Sequence, residues 1–518
     1  MKFASLLFLF LPLLARAHIG SPNIFFDGQA GPYAVRTVIR PPAVLPGFAQ
    51  VDVRLSNRSV TNVWLQAGVW EAAKEAAPAP IPAAPVPGDA NLFNGAIWLL
   101  RPGAYSLRIT VEGAEGTASV VVPMNSAATQ RPQMTAELRA LLLGLGLVLF
   151  AGILWLVGAA ARDSTLSPGT IPTVCDRRRG ILVAIVAALA VVVGILGGAA
   201  RWRRMDREFR NNAMSKPLPV VATVQTNGSL RLLQLTQEKQ GVAGWDTLVA
   251  DHGKLMHLFL IHGPDFNTFA HLHPVRRNSS SFQNVLPALI AGSYQLYAEV
   301  THENGANETL TATVSLARPT GRPLQISGTN MLNEVFCQST ILSATNSPQP
   351  FALDIDDSWH VSPASPTRGS KISGLMNGYT MKFLSEGRLI ENRELSLRFA
   401  LFDAEGHPVV LQPYMGMLGH AVVRRSDGEV FTHLHPMGSI SMAAQAMLAQ
   451  RERSESDAIG GFTLSTNGSR STLQSPNGGN EVGFPYAFPR PGDYRLWIQV
   501  RVNFRVYTGV FDLTVDPA

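Results

Sequence analysis

Residues 140–161 and 180–200 contain no charged side chain at all. The hydrocarbon core of a bilayer, about 30 Å thick, is crossed by roughly 20 helical residues. Only structures that satisfy every backbone hydrogen bond internally survive there, so each stretch predicts a transmembrane helix. The short loop between them carries Arg162, Arg177, Arg178 and Arg179, and arginine-rich short loops stay on the cytoplasmic side. The N-terminus supplies a second topological signal. Met1-Lys2, an apolar run over 6–14 and Ala15-Arg16-Ala17 are the parts of a secretory signal peptide, residues 1–17. An exported N-terminus, one span in and one span out place residues 18–130 and 211–518 outside. Arg201, Arg203, Arg204, Arg207 and Arg210 follow the second span on that outer side. They run against the charge rule, and the signal peptide with the even number of spans outweighs them.

Charged residues make up 15% of the chain, against about 25% in soluble proteins, as expected when part of a chain lies in lipid. Much of the net charge of +6 flanks the spans, and no RNA-binding or zinc-finger spacing accompanies it, so no nucleic-acid partner is expected. Cys175 and Cys337 are the only cysteines. They exclude a disulfide framework, and the topology separates them across the bilayer.

Outside the spans the pattern is mainly β. Val51-Asp52-Val53-Arg54-Leu55 alternates, and Thr117-Ala118-Ser119-Val120-Val121-Val122 is rich in β-branched residues. The Ala/Pro-rich residues 76–87 read as an inserted loop. Three places share a turn followed by a strand: Pro102-Gly103-Ala104-Tyr105, Ala291-Gly292-Ser293-Tyr294 and Pro491-Gly492-Asp493-Tyr494. A tyrosine near such a strand start can pin a corner of an immunoglobulin-like sandwich. Repetition predicts three copies of one β-sandwich, over 18–130, 216–317 and 318–518, around a helical hairpin at 138–201. The strand pattern of residues 318–375 is not legible.

The second and third copies share more than a turn. Met256-His257 precedes His271-Leu272-His273-Pro274 in one, and Gly419-His420 precedes His433-Leu434-His435-Pro436 in the other. Residues i and i+2 of a strand face the same way, so each His-x-His pair points to one face. A hairpin at Gly263-Pro264-Asp265, or at Asp427-Gly428, brings the earlier histidine beside the pair. Three neutral imidazoles on rigid strands suit copper or zinc. His302 offers a fourth ligand in the second copy, where the third has Val502. Met415, Met417, Met437 and Met442 lie near the third copy's histidines, and thioethers favour Cu(I). They rank copper above zinc, with Cu(II) expected in the second copy and Cu(I) in the third. His18, the first residue after cleavage, is a further candidate through its amine and imidazole. The other reading makes these histidines packing elements bonded to backbone. Asp354-Ile355-Asp356-Asp357 has the carboxylates to bind a cation, but reads rather as a solvated turn. No phosphate loop, nucleophile elbow or paired-carboxylate arrangement argues for hydrolysis.

The first copy, with Ala30-Gly31-Pro32-Tyr33 and Pro102-Gly103-Ala104-Tyr105, resembles the YtkA-like and FixH-like periplasmic β-sandwiches. The second and third resemble a secreted bacterial module in which a glycine-preceded His, His-x-His-Pro and a Pro-Gly-x-Tyr-Arg-Leu strand recur, often followed by a His. Met256 departs from that pattern at its first position, and Val502 at its last. The resemblance implies a β-sandwich fold and, for some members, metal handling. Together these readings lead to an inner-membrane protein with periplasmic modules that binds or delivers copper, with a periplasmic or membrane partner protein. The rivals are a non-metal scaffold or accessory subunit of an envelope complex, and a copper-dependent redox enzyme.

Overall fold

The computed structural model describes residues 23–518 apart from 319–340, 343–350, 460–478 and gaps of one to six residues elsewhere. The signal segment, His18 and Cys337 lie outside the described residues. The fold is mainly β, with several sheets and two long apolar helices. It divides into two compact units, 127–215 and the remainder.

The smaller unit is the helical hairpin. Helix α1 (Ala136–Asp163) starts at Thr135, whose side chain accepts a hydrogen bond from the Leu138 amide at 3.3 Å. Helix α2 (Val174–Asn212) runs on through the arginine-rich segment. Both are long and apolar enough to cross a membrane. They approach through glycines: a Cβ on Gly180 would stand 2.7 Å from the Gly158 carbonyl oxygen. Small residues permit such backbone contact between apolar helices.

In the larger unit the N-terminal strands form one eight-stranded sheet. Ile81–Val86, expected as loop, is a strand. Its first half pairs with Val63–Leu65 and its second half mainly with Phe93 and Asn94. Each half has an unpaired side there, which explains how Pro82 and Pro85, lacking N–H donors, are accommodated. The three glycine turns begin strands Gly103–Gly113, Gly292–His302 and Gly492–Val502. Gly103, Gly292 and Gly492 have φ of 137°, 149° and 128°, open to glycine and costly for other residues. The tyrosine of each turn donates to a carbonyl four residues back: Tyr105 to Arg101 at 3.1 Å, Tyr294 to Ile290 at 2.8 Å and Tyr494 to Arg490 at 2.7 Å.

The second copy curls around a core that includes Leu233, Leu258, Leu260, Phe282 and Leu296. Ser358–Val361 pairs with Thr268–Leu272, so part of the illegible segment completes this sheet. The third copy has two four-stranded sheets with Phe399, Phe484, Leu496, Ile498 and Phe511 between them. The strand His257–His262 is buried at all six positions, without the alternation of a half-exposed strand. Its second face is covered by the third copy. Phe259, Ile261, Phe269 and Tyr297 meet Val422, Phe431, Trp497 and Val510 in a separate seam. Tyr297 stacks on Phe431 with centroids 3.9 Å apart, and Phe269 on Trp497 at 5.1 Å. The seam continues into the histidines.

Candidate metal centre

Pairing places His257 beside Phe259 on one face, opposite Glu299 and Tyr297 of the neighbouring strand. His420 stands likewise opposite Gln499. Adjacent hairpin strands bring in His271 and His433, with His273 and His435 two residues on. Donor nitrogens of His257, His271 and His273 all lie within 4.8 Å of one another, and so do those of His420, His433 and His435. All six are buried, His271 and His420 at 0% exposure and none above 5%.

Hydrogen bonds on the far side of five of the six rings, all but His435, fix which nitrogen carries the proton. His257 Nε2 lies 3.2 Å from the Asp251 carbonyl, and His420 Nε2 lies 3.1 Å from the Tyr414 carbonyl. A carbonyl only accepts, so both rings are protonated at Nε2 and present a lone pair at Nδ1. His271 Nδ1 is 2.9 Å from Gln499 Oε1. The orientation of that amide follows from a chain that ends on backbone. Tyr414 OH donates to the Asp356 carbonyl, Ser358 Oγ donates to Tyr414, and Gln499 Nε2 donates to Ser358. Gln499 therefore turns its oxygen to His271, which donates from Nδ1 and leaves a lone pair on Nε2. With their carboxyls ionised, Glu299 accepts from His433 Nδ1 at 3.1 Å and Asp357 from His273 Nδ1 at 3.0 Å, with the same result. Carboxylate or amide partners of this kind orient metal-binding imidazoles.

The inward nitrogens thus meet without a hydrogen between them. His257 Nδ1 and His271 Nε2 are 3.1 Å apart, and His420 Nδ1 and His433 Nε2 are 3.2 Å apart. In neutral rings these are lone pairs facing lone pairs. Among the described residues, His273 Nε2 and both His435 nitrogens are buried without a hydrogen-bond partner. Two ligands about 2.0–2.1 Å from one ion, separated as these nitrogens are, subtend roughly 100° there, near a tetrahedral angle. The donor set fits a bound cation.

Burial pushes His257 down, and His271, His273, His420, His433 and His435 well below the usual histidine range, with neighbouring rings adding to the effect in all six. The rings are therefore held neutral, the form that ligates. Burial also lifts Glu299 to about 7, and burial with Asp354 nearby lifts Asp357 to about 8. A bound cation works against both shifts.

Several expectations need correction. His302 does not join the triad. It lies three residues beyond Glu299 on the same strand, hence on the opposite face, where it bonds Thr247 at 2.9 Å and Glu308 at 3.2 Å. Val502 occupies the matching inward position in the third copy's core. Asp357 is not solvated: it is 1% exposed and accepts from the His273 amide and ring. The hydrogen bonds to backbone expected of packing histidines exist at His257 and His420, but on the nitrogens that face away from the triads. Among the methionines, Met415 packs with Tyr414 and Val506, Met417 and Met437 are buried, and the Met442 amide donates to Asp251 at 3.2 Å.

His252, unmarked by the histidine repeat, also stands at this site. Asp251-His252-Gly253 and Tyr414-Met415-Gly416 are matching turns six residues before His257 and His420. His252 and Met415 have φ of 51° and 49°, and the glycines 80° and 79°. The His252 ring lies 4.9 Å from that of His435 and 5.4 Å from that of His420, and its Nε2 is buried without a hydrogen bond.

Residues 374–517 match a family described as a domain of unknown function (DUF8832). The match takes in the third copy's triad and leaves the second copy's outside. No curated protein matches the chain. Among solved structures, a tetra-tandem repeat from the extending region of a large adhesion protein is 8% identical, covering 91% of this chain and 96% of its own, with a TM-score of 0.14. The fibronectin(III)-like modules of Clostridium thermocellum CbhA are 8% identical over 57% of this chain and 95% of theirs, with a TM-score of 0.12. Likenesses this slight carry no argument about fold or function.

Proposed function

We propose that this chain is a membrane-anchored metal-binding protein that holds copper at its histidine triads, on the periplasmic side of a bacterial inner membrane, for binding or delivery to a partner protein. The supporting observation is the facing pair of lone pairs in each triad, which a cation resolves and a hydrogen bond between neutral rings does not. All-imidazole donors suit copper in both oxidation states, and zinc as well. Burial of all six rings favours holding an ion over turning over a substrate, which needs an open coordination position. The two apolar helices support a membrane anchor, and the signal-like N-terminus and arginine-rich loop support export of the larger unit. The resemblance to periplasmic β-sandwich modules agrees with that placement.

The test is metal analysis of the full chain purified in detergent, stripped with chelator and reloaded with copper or zinc in competition. Copper retained after gel filtration in preference to zinc, and lost in a His271→Leu/His433→Leu double variant, is the expected result. Retention of neither metal by the folded protein overturns the proposal. Preferential zinc retention overturns the copper assignment.

A further inference from the structure

The two triads are not separate sites on separate modules. His257 and His433 have ring centroids 5.5 Å apart, as do His271 and His433, while His271 and His420 are 6.1 Å apart. Within a triad the corresponding distances run from 4.5 to 5.4 Å. Rings of different copies are therefore nearly as close as rings of one copy. The supporting hydrogen bonds also cross over. Glu299 of the second copy orients His433 of the third, and Gln499 of the third orients His271 of the second. His252 comes from the second copy's turn and leans on two rings of the third copy's triad. Asp251 and Glu299, both carboxylates, lie beside these rings and offset added positive charge: the Asp251 carboxylate is 3.7 Å from His252 Nε2, and one of its oxygens is buried without a hydrogen bond.

We infer that the two triads form one binuclear copper centre assembled at the seam between the repeats, with His252 of the second copy completing the third copy's triad. This inference rests on the proposed metal-binding function and adds to it the number of ions, their proximity and a seventh ligand. Three imidazoles come from the second copy's hairpin for one ion. Three from the third copy's hairpin, with His252, surround the other.

The experiment uses the full chain in detergent, stripped and titrated with Cu(II), and read by metal analysis and electron paramagnetic resonance. Two coppers per chain are expected. At saturation the integrated signal should fall below two spins, or a half-field transition should appear, either of which marks coupled ions. Two coppers with full, uncoupled intensity overturn the binuclear centre while leaving metal binding intact, and so does saturation at a single copper. No copper retained overturns the metal-binding reading and this inference with it. His252→Asn keeps a residue that tolerates the left-handed backbone. It should weaken binding of one copper at least tenfold and leave the other unchanged. Unaltered affinity and unaltered nitrogen couplings at both ions overturn the role of His252.

Discussion

Replacing His435 with leucine is expected to make the metal-free protein more stable while abolishing part of its response to metal. Among the described residues neither ring nitrogen of His435 has a hydrogen bond, and the residue is 5% exposed. A neutral imidazole has one donor and one acceptor, and each unsatisfied buried group costs about 1–3 kcal/mol. Leucine fills a similar volume and carries no polar atom, and swaps that preserve volume usually cost less than about 1.5 kcal/mol. The balance, about 2–6 kcal/mol for the two groups less about 1.5, is a gain of roughly 0.5–4.5 kcal/mol for metal-free His435→Leu. At roughly 2–4 °C per kcal/mol for a domain of this order of size, its melting temperature in chelator should rise by several degrees. Saturating copper, at 100 times the dissociation constant, should add about 2.7 kcal/mol per site to the wild type. The variant should lose the share of the third copy's site. Differential scanning fluorimetry in detergent, with chelator and with copper, reads both effects. A metal-free variant that melts lower than the wild type would show that His435 contributes to packing or polar bonding in the fold, and the argument from orphaned nitrogens would fail.

The metal-free protein should be most stable near pH 6.5–7. The six triad imidazoles have depressed folded pKa values, so the unfolded chain binds more protons as pH drops through about 6.5 and stability falls. Glu299 and Asp357, raised to about 7 and about 8, have the opposite sign: the fold binds more protons up to those values, so their contribution falls as pH rises toward them. Six histidines outweigh two carboxyls on the acid side and the carboxyls govern the alkaline side; melting temperatures in chelator that rise steadily from pH 5 to 8 would contradict this. Tyr294→Phe and Tyr494→Phe each remove one corner hydrogen bond and should cost about 1 kcal/mol, read as a lowered melting temperature with unchanged copper stoichiometry. For topology, fusions after residue 130 and after residue 230 should both report the periplasm, and one within 164–176 the cytoplasm; a cytoplasmically active fusion after 230 would remove the extracytoplasmic placement of the metal centre.

Much of this site was legible because its signals are local. His-x-His at a period of two, a hairpin turn and a histidine one strand away specify a triad without further information. The same period, applied to the register, disqualifies His302: Glu299 shares the face of His257, and three further residues reverse the direction. That register depends on which residue pairs with His257, which no local pattern prints. The pairing of copies was hidden for a related reason. Leu258-Phe259-Leu260-Ile261 lacks alternation, which signals two buried faces but does not say what covers the second. His252 was obscured because its counterpart is Met415, so no repeated histidine marks that position. The shared glycines Gly253 and Gly416 were the available sign that both belong to one turn. In residues 81–86 the prolines outweighed the strand pattern, since a strand that changes partners midway leaves the unpaired edges that proline requires.

The reciprocity of the seam gives the duplication its physical meaning. In an isologous interface residue i of one subunit meets residue j of the other, and j meets i. His271 with Gln499 and His433 with Glu299 follow that rule, since 299 and 499 are equivalent positions counted from Gly292 and Gly492. Phe269 against Trp497 and Phe431 against Tyr297 follow it too. The two copies are therefore packed as a symmetric dimer would be, inside one chain. A symmetric dimer is confined to identical residues at equivalent positions. A fused pair is not, and here the two halves differ where a bound metal would feel it most: histidine against methionine at 252 and 415, carboxylate against amide at 299 and 499. Carboxylate support raises the donor strength of an imidazole, and extra imidazole suits the more highly charged ion. The fourth histidine, expected from the sequence at the second copy's triad, stands instead beside the third copy's triad, so the preference for Cu(II) is expected to shift toward that triad.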